Sequence, residues 1–152
     1  MIGCEMEDAV FAGLFAGEGT VGIYKNAGGF YGVRIAMQMT DLPLIASVQR
    51  RFGGRVTKHT IYTKGGRKQR TMWNWETNGS KREVLEVLSR YCTGDKAPQI
   101  ALVIQYFDEF GEWAKMGPPL RRTKEQKQRQ EWYRLEVHRL KTIEYEELAN
   151  VA

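Results

Sequence analysis

Residues 9–19 read AVFAGLFAGEG, an apolar stretch of helix length that ends on a single carboxylate, Glu18. Helix signals open at Glu7 and hold to Gly17. Ala9, Gly13 and Gly17 recur every four residues, with Ala12 and Ala16 beside them, so they share one stripe of the helix. A glycine inside a helix costs roughly 0.8–1 kcal/mol relative to alanine, so two on one stripe imply a compensating contact. Small residues let a second helix approach backbone to backbone. The chain holds no second copy of the stripe. The expected partner is therefore the same helix of another subunit across a two-fold axis, with Ala9, Ala12, Gly13, Ala16 and Gly17 in the contact.

Glu18 follows directly after this stripe. The carboxyl end of a helix carries about half a negative charge, so a carboxylate there is electrostatically misplaced, and a two-fold contact would bring two of them together. Bound divalent cations remove both penalties. Mg²⁺ takes carboxylates, carbonyls, water and phosphate oxygens, and two metals side by side stabilise the attacking and leaving oxygens of phosphodiester hydrolysis. The bland alternative is a solvated glutamate at a glycine-rich turn. The charge of the rest of the chain tips the reading towards the metal.

Downstream, strand and turn signals take over. Val21–Tyr24 is a short strand, joined through Asn26-Ala27-Gly28-Gly29 to a second over residues 30–39. There Tyr31, Val33, Ile35, Met37 and Met39 fall on one face, and Gly32, Arg34, Ala36 and Gln38 on the other. A helix begins near Leu42 with Pro43 in its first turn, buries Ile45, Val48 and Phe52, and stops at Gly53-Gly54. A second hairpin pairs Arg55–Thr63 with Thr71–Thr77. Ser80-Lys81-Arg82-Glu83 has the form of a capping box opening a helix through Tyr91. A further helix from near Pro98 is expected to bury Ile100, Val103, Ile104 and Phe107. After Gly117-Pro118-Pro119 a charged helix opens at Thr123, with Gln126 three residues on and a weak stripe of Tyr133, Val137 and Leu140. The order predicts an α+β domain over residues 1–117: a four-stranded antiparallel curved sheet in αββαββα order, with helices on one face. Residues 118–152 are then a charged helical extension, expected to pack on the domain.

The 152 residues fit one domain with a real core, and 42% hydrophobic with 27% charged residues make a globular chain. The apolar run from Ala9 to Gly17 is far short of the roughly 20 residues of a membrane span. Acids precede it where a secretory signal has basic residues, so a cytoplasmic location and no membrane partner are expected. Cys4, Cys92, His59 and His138 lack the spacing of a zinc site or a disulfide framework.

The net charge of +5 is unevenly spread: residues 1–20 carry no basic residue, while residues 21–90 carry 13 basic against 4 acidic residues. One contiguous positive block suits a phosphate backbone. A two-stranded ribbon fits the major groove of B-DNA, which makes the outward residues Arg34, Gln38, Arg55, Thr57 and His59 the candidates for base edges. Lys58 and Tyr62 sit on the opposite parity of the third strand and leave its register open. Lys25, Lys64, Arg67, Lys68 and Arg70, at strand ends and the hairpin tip, are the candidates for phosphates.

At Phe11-Ala12-Gly13-Leu14-Phe15-Ala16-Gly17-Glu18-Gly19 the sequence resembles the signature of the LAGLIDADG homing endonucleases. The similarity extends over residues 7–113. Arg34–Asp41 resembles the family's second strand, Phe52–Val56 the turn into the third, Trp73-Asn74-Trp75-Glu76 the fourth, and Lys96-Ala97-Pro98-Gln99-Ile100-Ala101 the opening of a late helix. The resemblance implies a site-specific double-stranded DNA endonuclease using Mg²⁺, and a single signature implies a homodimer acting on a near-palindromic target, as in mobile introns. It implies that Glu18 and the Gly17 carbonyl bind metal, that Lys96 polarises the active-site water network, and that Asp41 contacts the attacking water. The basic residue that often follows a turn after the Asp41 position is absent, with Ile45 there instead, and Asp41 reads equally well as a helix cap.

Other readings compete. The same fold serves RNA-splicing maturases, which would add RNA as a partner, and DNA-binding regulators that no longer cut. Gly22-Ile23-Tyr24 followed by Tyr31-Gly32-Val33 hints at the GIY-YIG nucleases, but the second element lacks its isoleucine and that site's downstream arginine and glutamate have no place.

Overall fold

The computed structural model describes residues 5–111 and 122–151, and the side chains of these except Lys68 and residues 144–151. Cys4, the Gly117-Pro118-Pro119 boundary and Arg121 lie outside the described residues. The elements run α1 (Asp8–Glu18), β1 (Gly19–Lys25), β2 (Tyr31–Met39), α2 (Leu42–Phe52), β3 (Arg55–Tyr62), β4 (Lys68–Glu76), α3 (Lys81–Tyr91), α4 (Ala97–Phe110) and α5 (Lys124–Val151). The strands form one four-stranded sheet in the order β1-β2-β4-β3, so the fold is the expected α+β arrangement. Among the described residues, no helix is long and apolar enough to cross a membrane.

The chain forms two compact units, Met1–Thr20 with Ile35–Cys92, and Val21–Arg34 with Thr93–Ala152. The core of the first is an aromatic cluster. The ring of Phe11 lies 4.6 Å from Phe52 and 5.8 Å from Trp75, the latter edge-on, an arrangement that ring quadrupoles favour. Around it Ile35, Met37, Ile45, Val48, Val84, Leu85 and Leu88 are buried. The indole N–H of Trp75 donates to the Gly53 carbonyl at 2.8 Å, which satisfies the one polar group of a fully buried ring. A Cβ on Gly54 would stand 2.5 Å from the Glu76 carbonyl oxygen, and its φ of +91° is a glycine conformation. Arg51 ties three helices together through Asp8 of α1 at 3.0 Å and Glu83 of α3 at 2.6 Å.

That ion pair corrects the expected capping box. Ser80 makes no side-chain cap bond to α3; its hydroxyl donates to the Phe52 carbonyl at 2.6 Å, and Glu83 is held by Arg51. Tertiary partners outcompete the local ones. On β2, Ala36 is buried although its parity is that of the outward residues.

In the second unit the β1–β2 turn closes where the Asn26 side chain accepts the Phe30 N–H at 2.9 Å, with Gly29 at φ +80°. α5 begins with the expected reciprocal cap: Gln126 N–H donates to the Thr123 hydroxyl, and Thr123 N–H to the Gln126 side chain. α4 and α5 pack through Tyr106, Phe110 and Tyr133, with Tyr106 5.2 and 5.6 Å from the other two rings. Ile104 and Phe107 are only half-buried, while Tyr106 and Phe110 form the buried face of α4. Gln130 is buried because its amide donates to the Tyr106 hydroxyl at 3.0 Å. Tyr31 of β2 donates to Glu131 of α5, and Arg134 beside it holds the Glu131 carboxyl down to about 2.

Candidate functional site

α1 is apolar on every side, yet only Phe11, Ala12 and Phe15 are buried. Ala9, Val10, Gly13, Ala16, Gly17 and Glu18 are exposed, Val10 by 49%. A helix that is hydrophobic all round expects cover on all sides. Ala12 is 1% exposed and faces the unit's own core. Of the five residues expected in a helix contact, Ala9, Gly13, Ala16 and Gly17 are thus exposed and Ala12 is buried. A Cβ on Gly13 or Gly17 would meet nothing within 4 Å, so nothing among the described residues requires glycine there.

Glu18 ends this stripe, exposed and with no hydrogen bond or ion pair among the described residues. The last turn of α1 holds no basic residue. No left-handed cap closes the helix either: Gly19 is extended (φ −85°, ψ 158°), its N–H going to the Phe15 carbonyl, and a Cβ on it would strike the Phe15 ring at 2.4 Å. The Gly17 carbonyl lies in the last turn, with no helical N–H beyond it to accept from. Carboxylate and carbonyl oxygens are the donors a hard cation takes. Among the described residues no three His, Cys, Asp or Glu side chains converge.

Asp41 is the N-cap of α2 and accepts the Leu44 N–H at 3.1 Å through one oxygen. Its other oxygen has no partner among the described residues. Ile45 is fully buried. Lys96 is half-buried at the start of α4.

The pairing of β2, β4 and β3 settles the register of the third strand. Met37, Trp75 and Val56 form one cross-strand row on the face of the buried indole, so the alternate row Gln38, Asn74 and Thr57 lies on the opposite face. Ala36, Glu76 and Arg55 form the next row of that face, and His59 sits opposite Met72. Lys58 pairs with Trp73 on the indole face, its ammonium 5.9 Å from that ring. The pairing register shifts between Ile61 and Tyr62, where Tyr62 lies opposite Lys68. Arg34, Arg55 and His59 are exposed; Gln38 and Thr57 are half-buried.

Asn74 and Glu76 were not singled out from the sequence as outward residues. The alternation of Trp73 and Trp75 was the signal that places them there. Arg55, Thr57, Glu76, Thr77 and Asn78 line a pocket of about 270 Å³, and the buried Thr77 hydroxyl has no partner among the described residues.

Lys64 and Arg67 are exposed at the β3–β4 turn and Arg70 on β4, while the side chain of Lys68 lies outside the described ones. Lys25 is exposed, 5.4 Å from the Tyr31 ring centre, and close enough to Glu131 to help lower that carboxyl. Part of the Lys25 charge is therefore already offset.

No protein-family profile and no curated protein sequence matches the chain. Solved structures do. The homing endonuclease I-TnaI superposes with a TM-score of 0.60 at 19% identity, covering 93% of this chain and 98% of that one. An archaeal intron-encoded homing endonuclease complexed with DNA gives 0.61 at 13% identity, covering 88% and 82%. The LAGLIDADG meganuclease I-AabMI bound to uncleaved DNA gives 0.56 at 14% identity over 74% of this chain. The chain spans 39% of the length of I-AabMI and the same share of I-SmaMI. It has the LAGLIDADG homing endonuclease fold.

Proposed function

We propose that this chain is a site-specific double-stranded DNA endonuclease that hydrolyses phosphodiester bonds with Mg²⁺ and works as a homodimer. One observation carries the reading: the exposed small-residue stripe of α1 runs straight into Glu18, an exposed carboxylate with no partner among the described residues, at an unneutralised helix end. A second α1 laid on Gly13 and Gly17 would cover the exposed apolar side and bring two Glu18 carboxylates together. The coverage of I-AabMI and I-SmaMI supports a pair, since one copy amounts to less than half of either chain.

Glu18 and the Gly17 carbonyl of each subunit would hold the metal. When bound, Mg²⁺ neutralises charge on the scissile phosphate and makes a bound water more acidic. The chain's own residues position everything else. Asp41 keeps its cap with one oxygen and would contact the attacking water with the other. Lys96 presents an ammonium to the phosphate or to ordered water. The row of Gln38 and Thr57, with Arg34, Arg55 and His59, reads base edges in the major groove, while Lys64, Arg67, Lys68, Arg70 and in part Lys25 hold phosphates.

The test is selection of cleaved sites from a randomised duplex library with Mg²⁺, using wild type and Glu18→Gln. A two-fold symmetric consensus, cut by wild type and bound but uncut by the variant, is the expected result. Full cutting by Glu18→Gln would sink the metal site, and binding without cutting by wild type would point to a regulator.

A further inference from the structure

The outward face of the β3–β4 hairpin changes character along its length. Arg55 stands opposite Glu76 at one end, while nearer the turn His59 stands opposite Met72 and Ile61 opposite Arg70. Alternation puts these side chains on the face turned away from the buried Trp75 indole.

Two features of that face need a partner. From Leu42 to Trp75 the chain carries no acid, and from Arg55 to Arg70 it carries six lysines and arginines. Glu76 ends that run with a carboxylate on the outward side. It lines a pocket of about 270 Å³ with Arg55, Thr57, Thr77 and Asn78, so a cation and an anion share one concave row. Met72 and Ile61 are the second feature: half-buried apolar side chains on strands whose other outward residues are polar. They lie diagonally across the strand pair, within reach of one another, and form an apolar step flanked by His59 and Arg70.

The major groove presents the complement of both. Guanine offers two acceptors to an arginine, cytosine an amino donor to a carboxylate, and thymine a methyl group to apolar side chains. Outward residues recur about every 6.6 Å along a strand, and base pairs about every 3.4 Å. Each row therefore advances about two base pairs. Met72 lies two rows beyond Glu76, or about four base pairs along the duplex.

We propose that Arg55 and Glu76 together read one G·C pair, and that Met72 with Ile61 reads a thymine methyl about four base pairs along the same groove. This deepens the endonuclease reading and rests on its duplex partner. Arg55 donates to guanine O6 and N7, and Glu76 accepts from the cytosine N4 amino group. Burial lowers the proton affinity of Lys81, and Glu76 opposes that fall; a carboxylate kept only for Lys81 would affect stability and leave base preference alone.

The full chain would be given a randomised duplex library in Ca²⁺, and the recovered duplex remade with single base exchanges. The enriched half-site should hold a G·C pair and a thymine about four base pairs apart. Uracil for that thymine should weaken binding by wild type about fourfold, the worth of one buried methyl, and Met72→Gln should bind both duplexes alike. Glu76→Ala should relax the G·C preference about five- to 150-fold, with a thermal midpoint near that of wild type. On wild type alone, 7-deazaguanine removes the N7 acceptor and N4-methylcytosine blocks the amino donor, and each should weaken binding without any variant having to fold. No uracil effect, or an equal one in Met72→Gln, overturns the methyl contact. A Glu76→Ala protein that loses stability but keeps full base preference overturns the charged row, as does indifference to both modified bases. An enriched site that Mg²⁺ allows to be cut, but that fails these exchanges, removes the assignment and leaves the endonuclease reading standing. Enrichment of no duplex removes both.

Discussion

Replacing Gly13 separates what the chain needs from what a partner needs. In the protomer a Cβ at Gly13 meets nothing within 4 Å, and Gly13 lies inside the eleven-residue α1. Helix propensity alone should then make Gly13→Ala stabilise the isolated protomer by about 0.8–1 kcal/mol. For a chain of this size that is a rise of roughly 2–4 °C in the thermal midpoint. Gly13→Leu should gain nearly as much, since leucine is almost as good a helix former.

At a two-fold helix crossing the balance reverses. Each added leucine overpacks the contact at about 1–3 kcal/mol, and symmetry doubles it to about 2–6 kcal/mol, a roughly 30- to 20,000-fold weaker dimer. The assay is sedimentation of Gly13→Leu across a concentration series, with urea unfolding under dilute, monomeric conditions. A variant that is more stable as a protomer, monomeric, and slow to cut DNA is the expected outcome. Wild-type sedimentation with wild-type cleavage would refute the crossing. A less stable protomer would show instead that Gly13 is needed within the chain.

Three further outcomes follow from the packing. Asn74→Ala, in the row between Gln38 and Thr57, should relax base preference by about 1–3 kcal/mol at one position per half-site, and a selection experiment returning an unchanged consensus would place that row off the DNA. Tyr133→Ala should cost about 3–5 kcal/mol in urea unfolding, because its buried ring packs on Tyr106 and its hydroxyl donates to Glu109 at 2.9 Å; a cost below about 1 kcal/mol would mean α5 is not part of the core. Glu131, hydrogen-bonded by Arg134 and Tyr31, is held down to about 2 from 4.5, so its contribution is complete above the unfolded value and disappears as pH falls from 4.5 towards 2. Glu131→Gln should therefore lose less thermal stability than wild type over that acid range, and parallel acid curves for the two proteins would contradict it.

Local signals were legible without the structure. Period-two alternation oriented β2, the Thr123 and Gln126 pair opened α5, Asp41 with Pro43 opened α2, and glycines followed by Glu18 marked the end of α1. Each depends on residues a few positions apart, and each holds in the fold, Ala36 of β2 excepted. Periodicity failed where composition was uniform: with nearly every residue from Ala9 to Gly17 apolar, nothing local told Ala12 from Ala16, and only the packing of the neighbouring Phe11 against Phe52 and Trp75 set which side of α1 turned inward. It failed also where a distant group offered a better partner, as when Phe52 took the Ser80 hydroxyl and Arg51 took Glu83. The weak stripe of α5 became a buried face because Tyr133 packed on Tyr106 and Phe110. The placing of Asn74 between Gln38 and Thr57, and of Glu76 between Ala36 and Arg55, are facts of pairing between segments far apart in sequence. A single chain's pattern carries its own period but not the identity of what lies across from it, so these were decided only when the strands and helices met.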